Sequence, residues 1–111
     1  MTKKEREGNI VIANFLCLQY NNDWLNPFDR NNILPWFDLE FHSSYHWLLY
    51  AVEKIEKKNY GFKMCRKVVE IYCDDSKNII LKIKEKNRIE SLFKAIVEFI
   101  KIKNVDSWKK I

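Results

Sequence analysis

The sequence predicts an α+β fold: three helices packed on a small antiparallel sheet or hairpin. Three observations carry this. Apolar residues recur at spacings of three and four over 47–55 and again over 89–100, which is the period of an amphipathic helix. The stretch 62–84 between them is rich in Val, Ile and Tyr and alternates apolar with lysine near its end, as a half-buried strand does. The resulting order of helix, irregular segment, helix, hairpin and helix shows no internal repeat or linker, and it suits helices laid on one sheet. At 111 residues the chain fits a single domain spanning 1–111. A chain of this size buries roughly two thirds of its unfolded surface, so it needs no metal or disulfide to fold.

Taken in order, Ile10, Ala13, Phe15, Leu16 and Leu18 give an apolar helical face, which places the first helix at about 8–19 with its start near Asn9. Gly8 weakens the first turn. Residues 20–40 are rich in Asn, Asp and Pro and read as turns and loop, because a residue before proline is pushed out of the helical region. Within 36–41, Phe37, Leu39 and Phe41 alternate with Asp38 and Glu40, which predicts a short half-buried strand. Ser43 or Ser44 then caps a helix whose face is Trp47, Leu48, Ala51, Val52 and Ile55. Lys57 and Lys58 suit its negative end, and Asn59 and Gly61 are expected to stop it.

A β stretch follows from Phe62 to Cys73, then a turn over 74–78, then a strand over 79–84 with Ile79, Leu81 and Ile83 on one face and Ile80, Lys82 and Lys84 on the other. The last helix spans 88–104 through Ile89, Leu92, Phe93, Ile96, Val97 and Ile100. Residues 105–111 are expected to fray unless Trp108 docks.

Composition excludes several classes. A hydrophobic share of 47% and an aromatic share of 14% exclude a disordered chain. No apolar run approaches the ~20 residues of a membrane span. The charged first residues carry no apolar signal region, so the chain reads as uncleaved and cytosolic. Cys17, Cys65 and Cys73 are odd in number and widely spaced, which is no disulfide framework, and they read as buried free thiols. His42 and His46 lack the Glu of a zinc-binding helix motif, Ser43 and Ser44 lack a nucleophile elbow, and two glycines build no phosphate loop. The expectation is therefore a protein that is not an enzyme, with no catalytic residue, no metal and no cofactor.

The best functional lead is charge. Residues 1–53 hold 4 basic and 7 acidic side chains, a balance of −3, whereas 54–111 hold 16 and 8, a balance of +8, giving the net +5. Lys63, Arg66, Lys67, Lys82, Lys84, Lys86 and Arg88 cluster around the predicted hairpin and would bind phosphates without reading sequence if they share one face. The plain alternative is a lysine-rich solvated surface. Tyr60 and Tyr72 are candidates to stack on single-stranded bases, or else pack within the sheet. Tyr20, Trp24, Phe28, Trp36 and Phe37, flanked by Asp23, Asp29, Asp38 and Glu40, form a candidate protein interface, or else cover the core beneath a long loop.

The segments Asn9-Ile-Val-Ile-Ala-Asn-Phe-Leu, Phe41-His-Ser-Ser-Tyr-His-Trp-Leu, Val52-Glu-Lys-Ile-Glu and Ala95-Ile-Val-Glu-Phe-Ile-Lys carry a resemblance spanning most of the chain. The chain resembles a family of small uncharacterised proteins of Bacteroides-type bacteria and their phages. Its relatives show Ser-Trp-Asp-Trp-Leu where this chain has Ser44-Tyr-His-Trp-Leu, so no role attaches to an acid at the position of His46. The resemblance brings no catalytic residue. It implies a small accessory protein of a mobile element, such as a host-defence antagonist of the anti-CRISPR type, in the bacterial cytosol. The expected partner is a host RNA-guided nuclease or its guide RNA, reached through the basic surface. The alternative is a general RNA- or single-stranded-DNA-binding module, and a hydrolase or metal enzyme is a third expectation.

Overall fold

The computed structural model describes residues 1–106, so the tail bearing Trp108 lies outside the described residues. The chain forms helix α1 (Lys3–Phe15), three short strands β1 (Gln19–Tyr20), β2 (Asp23–Leu25) and β3 (Ile33–Leu34), helix α2 (Tyr45–Glu56), strands β4 (Tyr60–Cys65), β5 (Val68–Cys73) and β6 (Ile79–Lys84), and helix α3 (Arg88–Asp106). Three helices therefore accompany two small antiparallel sheets, ordered β1-β2-β3 and β4-β5-β6, and the fold is α+β. Among the described residues no helix is long and apolar enough to cross a membrane.

The first helix begins five residues earlier than its apolar pattern suggests, at Lys3 rather than near Gly8. The cause is a capping box. The Thr2 amide donates to Glu5 Oε1 at 2.8 Å, and the Glu5 amide donates to Thr2 Oγ1 at 3.1 Å, so the charged turn is satisfied before any apolar residue is reached. Gly8 sits inside this helix because α3 crosses there. A Cβ on it would lie 2.9 Å from Phe93 Cε2 and 3.1 Å from Val97 Cγ2.

Residues 20–40 are more ordered than loop chemistry predicts. Fully buried Leu18 and nearly buried Trp24 hold the small sheet β1–β3 on the core. The strand expected over 36–41 is instead a single 3₁₀ turn, Trp36–Asp38, led by Pro35. Leu39 and Phe41 are fully buried as the alternation required, but Phe37 is exposed, because the turn breaks the period of two before it reaches that residue.

Ser44 is the cap of α2 and accepts from the Trp47 amide at 3.4 Å. Asn59, with φ 70°, ends the turn after α2, while Gly61 is a strand residue. Gly61 lies opposite Tyr72, whose ring covers the space a Cβ would need, so the glycine admits the aromatic instead of stopping the helix. The expected β stretch 62–73 is two strands, since the chain reverses at Arg66 and Lys67, and the whole is a three-stranded meander. A bulge slips the register between Ile71 and Tyr72, so Ile79 pairs with Tyr72 and is exposed, while Leu81 and Ile83 pack on the core.

The hub is α3. It packs on β5 and β6 and meets α1 and α2, burying Leu92, Ala95, Ile96, Val97, Phe99 and Ile100. The three cysteines are free, but Cys17 and Cys65 are exposed and Cys73 is half-buried, contrary to the expectation of buried thiols: each stands in or beside a turn or on an outward strand position.

A polar pin joins α1 to the segment before α2. Asn9 is fully buried, donates through Nδ2 to the Leu39 carbonyl at 3.1 Å, accepts at Oδ1 from the His42 amide at 3.0 Å, and faces His42 Nδ1 at 2.9 Å. Replacing it strands a carbonyl and an amide away from water. Asn9→Ala is expected to cost about 3 kcal/mol of unfolding free energy, measured by urea denaturation. A loss no larger than that of a surface substitution would contradict the pin.

Candidate functional site

The meander has two faces because side chains alternate along each strand. Val69 and Ile71 are fully buried beneath α3, with Phe62, Leu81 and Ile83 beside them. Their neighbours in sequence must then point outward. Strand register sets the outward rows: Lys63 opposite Glu70 opposite Lys82, and Cys65 opposite Val68 opposite Lys84. The turn between β4 and β5 adds Arg66 and Lys67 at one end. Together these eight residues line an open groove of about 690 Å³ on the outer face. Five of the seven predicted basic residues, namely Lys63, Arg66, Lys67, Lys82 and Lys84, thus come together.

Lys86 and Arg88 do not line it. Lys86 is exposed in the connection from β6 to α3. Arg88 opens α3, and its Nε donates to the Arg66 carbonyl at 2.8 Å, so it steadies the turn that displays Arg66. A second brace is Ser91, fully buried, whose hydroxyl donates to the Lys67 carbonyl, approaches the Asn87 carbonyl at 3.1 Å, and accepts from the Glu85 amide at 2.8 Å. The Asn87 side chain caps α3 by accepting from the Glu90 amide at 3.0 Å. The two turn carbonyls are therefore tied to the first turn of the hub helix.

Arg66 has φ 56°, the left-handed region that Gly and Asn enter more readily. A turn optimised for folding alone would favour one of those residues. Instead the position holds a long cation over the groove.

Neutralisation within the groove is slight. Among the described residues Glu70 is the one carboxylate that lines it, and its side chain is 17% exposed. Lys82 Nζ stands 3.9 Å from Glu70 Oε2, with the lysine itself largely in solvent, so the pair is loose and screened by water. Glu85 serves elsewhere, pairing with Lys94 at 3.2 Å. At the far end of the sheet Lys77 pairs with Asp74 at 3.0 Å, which raises the lysine pKa, and hydrogen bonds from Ser76 hold the Cys73 thiol below the usual cysteine range.

The tyrosines divide. Tyr60 lies on the core side, its ring edge-on to Phe99 at 4.9 Å, and is not a base-stacking platform: the register that sends Lys63 outward sends Tyr60 inward. Tyr72 is on the outer face, spread over Gly61. The aromatic interface also needs one correction. Trp24 is only 7% exposed and belongs to the core, because its neighbours Asp23 and Leu25 take the outer positions of β2. Tyr20, Phe28 and Trp36 are exposed. Phe28 leans edge-on against Trp47 at 5.8 Å and Tyr50 at 5.2 Å, and Trp36 carries the Arg6 guanidinium 4.9 Å from its ring centre. His42 is engaged by Asn9, and His46 sits in a shallow depression with Phe28, Leu49, Tyr50 and Glu53. Among the described residues no three His, Cys, Asp or Glu side chains form a group that could hold a metal ion.

Sequence reasoning missed Ser91 and Glu70. Ser91 carries a signal only in hindsight of topology, as a lone small polar residue on an apolar helix face. Glu70 was visible as the one acid in β5, between Val69 and Ile71.

Ser91→Ala removes the brace on the β4–β5 turn. It is expected to cost about 2 kcal/mol and to speed hydrogen exchange at Lys67 and Glu85 more than elsewhere in the sheet. Uniform or unchanged exchange would contradict the bracing.

No family model, curated protein or solved structure matches the chain.

Proposed function

We propose that this chain is a non-catalytic binding protein of a mobile element that docks on RNA phosphates through the groove of β4–β6, and that the RNA is the guide of a host RNA-guided nuclease which the chain inhibits. The observation that supports docking is the gathering of Lys63, Arg66, Lys67, Lys82 and Lys84 around one groove where, among the described residues, Glu70 is the single carboxylate. The strands fix where these cations start, each side chain loses rotamer freedom on meeting a phosphate, and release of the counterions condensed on the polymer favours the contact. The choice of a guide RNA rests on the resemblance to small phage proteins. Exposed Tyr20, Phe28 and Trp36 supply protein contacts on the nuclease.

A second reading is a general module for RNA or single-stranded DNA with no protein target. It is favoured by the openness of the groove to solvent along the outer face, which demands no second protein to complete it.

Reversing Lys63, Lys82 and Lys84 to Glu together tests the docking. The side chains are exposed, so the circular-dichroism spectrum should be retained. Affinity for a labelled single-stranded RNA, read by fluorescence anisotropy between about 50 and 200 mM salt, should fall by more than tenfold, with a salt slope smaller by about 2. Unchanged affinity and slope would overturn the docking. Strong RNA binding with no effect on any guided nuclease would favour the general module.

A further inference from the structure

The groove carries an acid at its centre, which offsets the mutual repulsion of the lysines across it and supplies an acceptor that phosphates do not use. Glu70 stands there, cross-strand from both Lys63 and Lys82, and among the described residues that line the groove it alone is negative. Its side chain is mostly covered, yet among the described residues no hydrogen bond reaches its carboxylate, and its nearest cation, Lys82 at 3.9 Å, stands outside hydrogen-bond reach. A carboxylate open to the groove and without a protein donor can accept N–H groups from a ligand in exchange for water. Beside it the floor is apolar Val68, and the cations stand at the rims.

This arrangement repels a phosphate over the middle of the groove and attracts phosphates at its edges. What fits is a strand whose backbone follows the cations while a base turns down on the floor with its N–H groups toward Glu70. We infer that Glu70 reads a donor-bearing base of a single strand, guanine before the others, because guanine presents two adjacent N–H donors on its pairing edge and a carboxylate accepts both side by side. Uracil, with one ring N–H flanked by carbonyls, sets oxygen lone pairs against the carboxylate and is disfavoured. The inference rests on the proposed RNA docking and names the residue that gives it selectivity. Phosphate contacts by the lysines carry no such information.

The test compares a short labelled oligouridine with the same oligomer carrying one central guanosine, against the intact chain and the Glu70→Gln variant. Glutamine keeps the size and the strand position, and it removes the charge. The intact chain should favour the guanosine oligomer by about tenfold. Glu70→Gln should bind oligouridine more tightly than the intact chain does, since a repelling charge is gone, and should lose most of the preference. Equal binding of the two oligomers by the intact chain, or a preference that survives in Glu70→Gln, overturns the inference and leaves the docking in place. No binding of either oligomer by the intact chain overturns the docking itself, and the inference with it.

Discussion

The burial of Val69 and Ile71 beneath α3 is the constraint on which the rest depends. Side chains in a strand alternate with a period of two, so fixing these residues inward fixes Val68, Glu70 and Tyr72 outward. Pairing then passes the assignment to the neighbouring strands, and Lys63, Lys82 and Lys84 have no choice of face. A shift of one residue in β5 would place Glu70 in the core and two apolar residues in water. The apolar contact with α3 therefore does two things at once. It stabilises the sheet, and it collects charge on the side away from the helix.

Two buried polar residues set how the helices meet this sheet. Asn9 ties α1 to the backbone of Leu39 and His42, and Ser91 ties α3 to the β4–β5 turn and to the end of β6. Each satisfies backbone groups that strands and helices leave open at their ends. Between them, α1 and α3 approach closely enough that Gly8 has only the ring of Phe93 and a methyl of Val97 above it. Lys54 closes the other end of α1 by donating to the Phe15 carbonyl, with its ammonium 4.6 Å from the Phe15 ring centre. The groove inherits this rigidity, because its turn is held from behind by α3 through Ser91 and Arg88.

How much of this was legible follows the signals that each segment carries. The helices over 45–56 and 88–106 were legible because long apolar periodicity survives local noise, and Ser44 marked a start. The beginning of α1 was hidden because its first turn is entirely charged; Thr2 and Glu5 held the signal, three apart, without an apolar residue to draw attention to them. The turn at Arg66 and Lys67 was hidden for the opposite reason: it lacks Gly, Asn, Asp and Pro, and tertiary ties hold it in place of turn chemistry. The strand misread over 36–41 had the right buried residues in Leu39 and Phe41 but no partner strand, so the alternation there reports burial alone. Of the five basic residues that line the groove, Lys63, Lys82 and Lys84 fall on strands whose period of two was legible, whereas Arg66 and Lys67 reach it from the turn that was not. Trp24 went to the wrong list because a tryptophan in a polar segment looks exposed, while only the pairing of β2 reveals that it points into the core.

The two halves of the chain differ in charge and in the surface they present. The acidic amino-terminal half contributes two helices and exposed rings, and the basic carboxy-terminal half contributes a braced, cation-lined groove around one carboxylate. The most direct measurement of that division is a titration of the isotopically labelled chain with single-stranded RNA, followed by amide chemical-shift changes. The largest changes should fall on Lys63, Arg66, Lys67, Val68, Glu70, Lys82 and Lys84 and leave α2 and the strands β1–β3 quiet. Changes centred on Tyr20, Phe28 and Trp36, or none at all, would contradict it.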